Sequence, residues 1–220
     1  MMTLLSSEQK DYAELLVKNY EQTRPDVYFL ALITSPARKI EPELLRALRL
    51  KLADYFPAGA KPSVETESAL WFSSLVESRG SDSITLLPGV LDLLRERLKA
   101  QPVNLLEKIR AIIKECHQSV PPVISWEEDL IYYSLIPAQD IHRRSLIRHT
   151  VLMAAKAVLS GKRPGLEEWI NGMTTRVPAE ISEHEDFKTL LLLSQTKIRR
   201  TKILSNARAS SAASDDRILK

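Results

Sequence analysis

A chain of 220 residues with 44% hydrophobic and 27% charged residues can bury one good-sized core, or those of two small helical lobes, without disulfides or a structural metal. Its single cysteine, Cys116, excludes an internal disulfide and points to a reducing, cytoplasmic setting. The net charge of +3 is uneven: residues 197–220 hold seven basic and two acidic side chains, leaving 24 basic against 26 acidic before them, so the basic character belongs to the tail.

Ser6 with Gln9 forms a capping-box pattern that opens a helix through about Tyr20, with Tyr12, Leu15, Leu16 and Tyr20 as its apolar stripe. Arg24-Pro25-Asp26 breaks the chain. Residues 27–33 are an apolar run whose length fits a strand or a short buried helix; with no convincing strand to pair it, helix is favoured. Pro42 suits a first turn, and Leu44, Leu45, Leu48, Leu52 and Tyr55 recur at helical spacing up to Phe56-Pro57. Residues 57–62, with two prolines and a glycine, then read as a loop between an N-terminal helical lobe (1–57) and a main helical domain (63–204).

In that second domain a helix from Glu65 to about Val76 carries Leu70, Trp71, Phe72 and Leu75, and residues 78–82 form a polar, flexible connection. Pro88 opens a helix buried through Val90, Leu91, Leu94 and Leu98. Asn104 with Glu107 caps another, striped by Leu105, Ile109, Ile112, Ile113 and Cys116, which Pro121 and Pro122 stop. Ser125 with Glu128 starts the next, through Ile131, Tyr132 and Leu135. After Pro137 a long helix runs to about Leu159 and ends at Gly161, a short one follows over 165–173, and Ser182 with Glu185 caps a last one towards Arg200. Residues 205–220, small, polar and basic, read as a flexible tail or linker, so limited proteolysis is expected to cut first between Arg199 and Arg217 and spare the body. Period-two alternation is confined to residues 83–87, too short and isolated for a sheet. The expected fold is therefore all-α, an irregular bundle of eight to nine helices in one body or two small lobes. No apolar run approaches a membrane span, and residues 1–10 lack the signature of a signal peptide.

No catalytic, cofactor-binding or metal-ligating set is expected. His142 and His149 stand seven apart on one helix, whereas helical metal ligands stand three or four apart; with His117 and His184 they read as solvated or capping side chains. Cys116, on an apolar stripe, reads as a buried structural thiol, and Glu127-Glu128 and Glu167-Glu168 as first-turn carboxylates opposing helix dipoles. The six glycines form no phosphate loop. Trp71, Trp126 and Trp169, each beside leucines or other apolar neighbours, read as core anchors rather than a ligand cage. Lys197, Arg199, Arg200 and Lys202 remain as the candidate contacts to a partner or an anion, against a plainer reading as a solvated helix end whose cations suit the C-terminal dipole.

Residues 68–80 (Ser-Ala-Leu-Trp-Phe-Ser-Ser-Leu-Val-Glu-Ser-Arg-Gly), Leu86-Leu87-Pro88 with 93–98, residues 117–122 with 126–132, and residues 165–169 together resemble a helical region of bacterial multidomain proteins. In that family the region precedes a formylglycine-generating-enzyme-like, protease or other effector domain. The resemblance spans about residues 65–181 and implies a non-catalytic regulatory or adaptor module of bacterial conflict and antiviral defence. It implies an effector or protease partner in cis or in trans, with the chain as a partner or a substrate of a caspase-like protease as one form of this, and no transferable catalytic residue. Nothing after Arg200 has the apolar content of an effector domain. The alternative expectation is a nucleic-acid-binding accessory protein using the basic C-terminal segment and Arg143, Arg144 and Arg148; no membrane partner is expected.

Overall fold

A computed structural model of the chain describes residues 7–137, 141–161, 165–174 and 176–200. At its centre lies α2 (Pro25–Thr34), which buries Val27, Phe29, Leu30, Ala31, Leu32, Ile33 and Thr34. A helix apolar on every side is stable only when surrounded, and α1 (Ser7–Thr23), α3 (Pro42–Lys51), α4 (Val64–Trp71) and α5 (Pro88–Lys99) all pack on it. The ambiguous run 27–33 is thus helical. α6 (Val103–Cys116) lies on α3, and α7 (Pro122–Leu135) on α5 and α6.

Contacts divide the chain into two compact units between Ile147 and Arg148. Residues 57–62, expected as a lobe boundary, instead form a connection inside the first unit, because α2 shares its core with α4 and α5 on the far side of that loop. The described residues hold more helices than the eight or nine expected, and the all-α description stands apart from one small hairpin.

That hairpin corrects two expectations. The helix from Glu65 ends at Trp71; Val76–Arg79 forms β1 and Ile84–Leu86 forms β2, antiparallel with Val76 opposite Leu86 and Arg79 opposite Ile84. The turn is closed by Gly80 N–H donating to Ser83 O at 2.8 Å, and Ile40 extends the pairing by accepting from Ile84 N–H at 2.9 Å. Residues 83–87 are therefore not isolated. β1 itself reads as loop because Glu77, Ser78 and Arg79 are exposed and carry no alternation.

Several helix starts also differ. Ser6 lies outside the described residues. α1 buries Ala13 and Val17 while Tyr12 and Leu15 are 56% and 67% exposed, so its inward stripe is one residue out of step with the larger apolar side chains. α6 starts at Val103, ahead of Asn104, and α7 starts at Pro122, three residues before Ser125. α4 has the true capping box: Ser63 Oγ accepts from Glu65 N–H, and Thr66 Oγ1 accepts from Ser63 N–H, both at 3.1 Å.

Thr66 also donates to Asp26 at 2.9 Å, and Arg24 grips the same carboxylate at 3.0 and 3.1 Å, tying α4 to the first turn of α2. Burial alone would raise the Asp26 carboxyl, but these donors and the Val27 N–H hold it below its ordinary 3.8. Its native-state value being depressed, its contribution is complete above about pH 4 and is lost as pH falls further. Asp26→Asn is expected to cost about 1 kcal/mol at neutral pH, and urea titrations should show this gap closing below about pH 4.

The second unit takes Val151, Ala154 and Val158 from α8 (Ile141–Ser160), Leu166, Ile170 and Met173 from α9 (Leu166–Met173), Ile181 from α10 (Ala179–Ser182), and Phe187 and Leu190 from α11 (residues 185–200). Gly161 ends α8 at φ +65, as its C-terminal position predicts. α11 is capped by His184, whose Nδ1 accepts from Asp186 N–H at 3.3 Å; Ser182 donates to Ala179 O and is no cap. Residues 201–220, with Lys202 and the expected tail, lie outside the described residues.

Candidate functional site

Pro121 and Pro122 force α7 to begin within a few residues of the end of α6, and this shift brings Glu127 and Glu128 into the second turn, facing inward. Neither is the first-turn carboxylate expected. Glu127 is fully buried and pairs with Arg38 Nε at 3.1 Å. Glu128 accepts the Arg38 N–H at 2.8 Å and lies 2.9 and 3.0 Å from Nδ1 of His117.

His117, the C-cap of α6, is 3% exposed, so it is not solvated. Its other nitrogen lies 3.6 Å from the Glu41 carboxylate at the start of α3 and makes no hydrogen bond. Beneath this node Arg95 donates to Ser35 O at 3.0 Å, and burial pushes its guanidinium down to about 10. Three helices and the 35–41 connection are thereby joined by buried charge.

Beside the node, α6 and α7 open a cleft of about 230 Å³ lined by Pro36, Arg110, Ile113, Lys114, Asp129 and Tyr132, with His117 and Glu128 at its base. Arg110 donates to Asp129 at 2.9 Å and to Tyr133 OH at 2.8 Å, and stacks 4.5 Å from the Tyr132 ring centroid. Burial opposes its charge, but Asp129 and the Tyr133 hydroxyl hold it above the ordinary arginine value. Lys114 reaches the same Asp129 from the rim at 3.0 Å. A carboxylate-oriented imidazole is the arrangement of a general base, yet the His117 ring is wedged between two carboxylates and its free nitrogen faces Glu41. The cleft wall of Pro36, Ile113 and Tyr132 is itself largely buried, and Arg110 and the exposed Lys114, both paired with Asp129, stand at its edge.

Lys197, Arg199 and Arg200 fall on α11, and they separate in role. Lys197 turns inward to Glu167 at 2.8 Å and to the Val158 carbonyl, so it is a tie within the second unit rather than a contact point. Arg199 and Arg200 are exposed. Burial raises the Glu167 carboxyl, and Lys197 outweighs it, leaving Glu167 below its ordinary value. Lys197→Met should cost the second unit about 1 to 2 kcal/mol and raise the Glu167 pKa, measured by NMR titration.

The remaining expectations are adjusted by burial. Trp71, Trp126 and Trp169 are partly rather than fully buried, and Trp169 carries Arg176 at 5.4 Å. Cys116 is half-buried, and burial pushes its thiol up, consistent with an unreactive structural role. Among the described residues no group of three or more His, Cys, Asp and Glu side chains is placed to hold a metal, and no helix is long and apolar enough to cross a membrane. The Glu128–His117 node was hidden in the sequence by the Ser125–Glu128 capping pattern; the preference of proline for the first helical position was the signal that exposes it. Comparison with known proteins gave no match among family models, curated proteins or solved structures.

Proposed function

We propose that the chain is a non-catalytic helical interaction module that scaffolds or restrains an effector protein, in cis or in trans, within a cytoplasmic bacterial defence system. The α6–α7 cleft is the observation that carries this reading. Its charged groups are paired with one another above a narrow apolar wall of Pro36, Ile113 and Tyr132, each of them largely buried, with Arg110 and the exposed Lys114 at its edge. Such a wall receives a partner side chain, and the cations favour an acidic neighbour beside it. The defence setting, and a protease as the effector, rest on the resemblance of residues 65–181.

Affinity purification of the tagged full chain from its native host tests the reading. One effector protein should co-purify and be lost with Lys114→Glu, a rim change that leaves the thermal melt intact. Recovery of no specific protein with either form ends the proposal. A second reading, nucleic-acid binding, draws on the carboxylate-free α8 with Arg143, Arg144 and Arg148, and on exposed Arg199 and Arg200. It requires binding that weakens steeply with salt, and absence of binding at low salt removes it.

A further inference from the structure

We infer that the outward face of α8 between Arg148 and Leu159 is a docking surface for an acidic amphipathic helix of the partner protein, an inference that rests on the interaction-module reading. Val151, Ala154 and Val158 point into the second unit's core, which fixes the opposite side of the helix outward. On that side Leu152, Met153 and Leu159 are 50%, 43% and 68% exposed. Arg148, His149 and Lys156 are exposed among them, on rows three and four residues apart. Leu152 and Leu159 share one flank of that side two turns apart, and Met153 lies about 100° round the helix from Leu152 with His149 and Lys156 between, so the face is mixed apolar and cationic.

Charge selects the occupant. All 20 residues of α8 include no Asp or Glu, so the patch is bounded by cations alone along its own helix. Shape narrows it further. Beside the patch runs a groove of about 90 Å³ between α8 and α11, lined by Leu152, Ala155, Thr189, Leu190 and Leu193. The acid at its side, Asp186, sits 3.7 Å from His184. An apolar ridge of a partner helix fits such a concavity, with acidic residues on its flanks meeting Arg148 and Lys156; a flat anionic bilayer leaves the groove unfilled. Met153 adds a side chain that adapts its shape to the ridge it meets.

The probe is a synthetic helix of about 18 residues with leucines at i, i+3, i+4 and i+7, glutamates on the two flanks and alanines elsewhere, paired with a charge-reversed peptide carrying lysine for every glutamate. Titrated into the full chain, the acidic peptide should bind and shift the methyl resonances of Leu152, Met153 and Leu159, while the basic one does not. The double change Arg148→Glu and Lys156→Glu, and separately Leu152→Ser with Leu159→Ser, should each weaken binding at least about tenfold with an unchanged circular dichroism melt. Equal binding of the two peptides, binding of neither, or shifts confined to the α6–α7 cleft would overturn the inference. So would tighter association with phosphatidylserine vesicles than with the acidic peptide. In the host, a captured partner that cross-links at Lys114 and survives Lys156→Glu leaves the module reading standing and removes this surface; loss of that partner with Lys156→Glu supports it.

Discussion

Glu128→Ala is expected to lower stability by about 3 to 5 kcal/mol and the melting temperature by about 10 °C. The carboxylate is 8% exposed and has three claims on it: the Arg38 N–H and, through both oxygens, His117 Nδ1. Alanine leaves a part-buried backbone donor and a buried imidazole without this acceptor, with Glu127 still beside Arg38 and Glu41 still 3.6 Å from His117. Glu128→Gln keeps one acceptor oxygen and should lose roughly half as much. Because Glu128 and His117 act as one unit, the double change with His117→Ala should cost less than the sum of the two single changes. Circular dichroism melts of the four proteins measure this. A shift under about 2 °C for Glu128→Ala would mean that water reaches the node and that the charges are not holding α6 to α7.

The same residues show which parts of the fold were legible. Pro25, Pro42 and Pro88 each stand at the first turn of a helix, and the stripes of α3, α5 and α6 match their buried faces closely, because periodicity and proline geometry are local. Short polar patterns misled where two local signals competed. At α7 the Ser125–Glu128 box and Pro122 both mark a start, and Pro122 wins because its ring presets the helical φ and needs no donor. The hairpin was illegible for another reason: β1 gains its order by pairing with β2, which is itself held by the bridge from Ile84 to Ile40, far away in sequence, and not from its own exposed residues. The charged node belongs to the same class, since Arg38 and Glu128 meet across 90 positions. Lys197 illustrates the limit of charge counting, which registers a basic residue but not that Glu167 and the Val158 carbonyl have already engaged it.

Phe187→Ala should unfold the second unit while the first persists. Phe187 is 0% exposed and heads the fully buried side chains of the described residues in size, yet it belongs to the smaller unit, which begins at Arg148. Truncating a buried phenylalanine costs about 3 to 5 kcal/mol through lost transfer energy and the cavity left behind. A unit this small has little reserve, because the fraction of surface buried falls with chain size. The core that remains, which includes Val151, Val158, Leu166, Ile170, Met173, Ile181 and Leu190, is mostly medium-sized aliphatic, with no second fully buried aromatic among the described residues of this unit. Native-state hydrogen exchange reads the result by segment: amides of α9 and α11 should lose protection, while those of α2, enclosed by four helices of the first unit, keep theirs. Phe187→Leu, which nearly conserves volume, should cost less than about 1.5 kcal/mol and keep α11 protected. Loss of protection in α2 and α11 together would show one cooperative body instead of two units. Unchanged exchange in α9 and α11 would show that Phe187 does not hold that core.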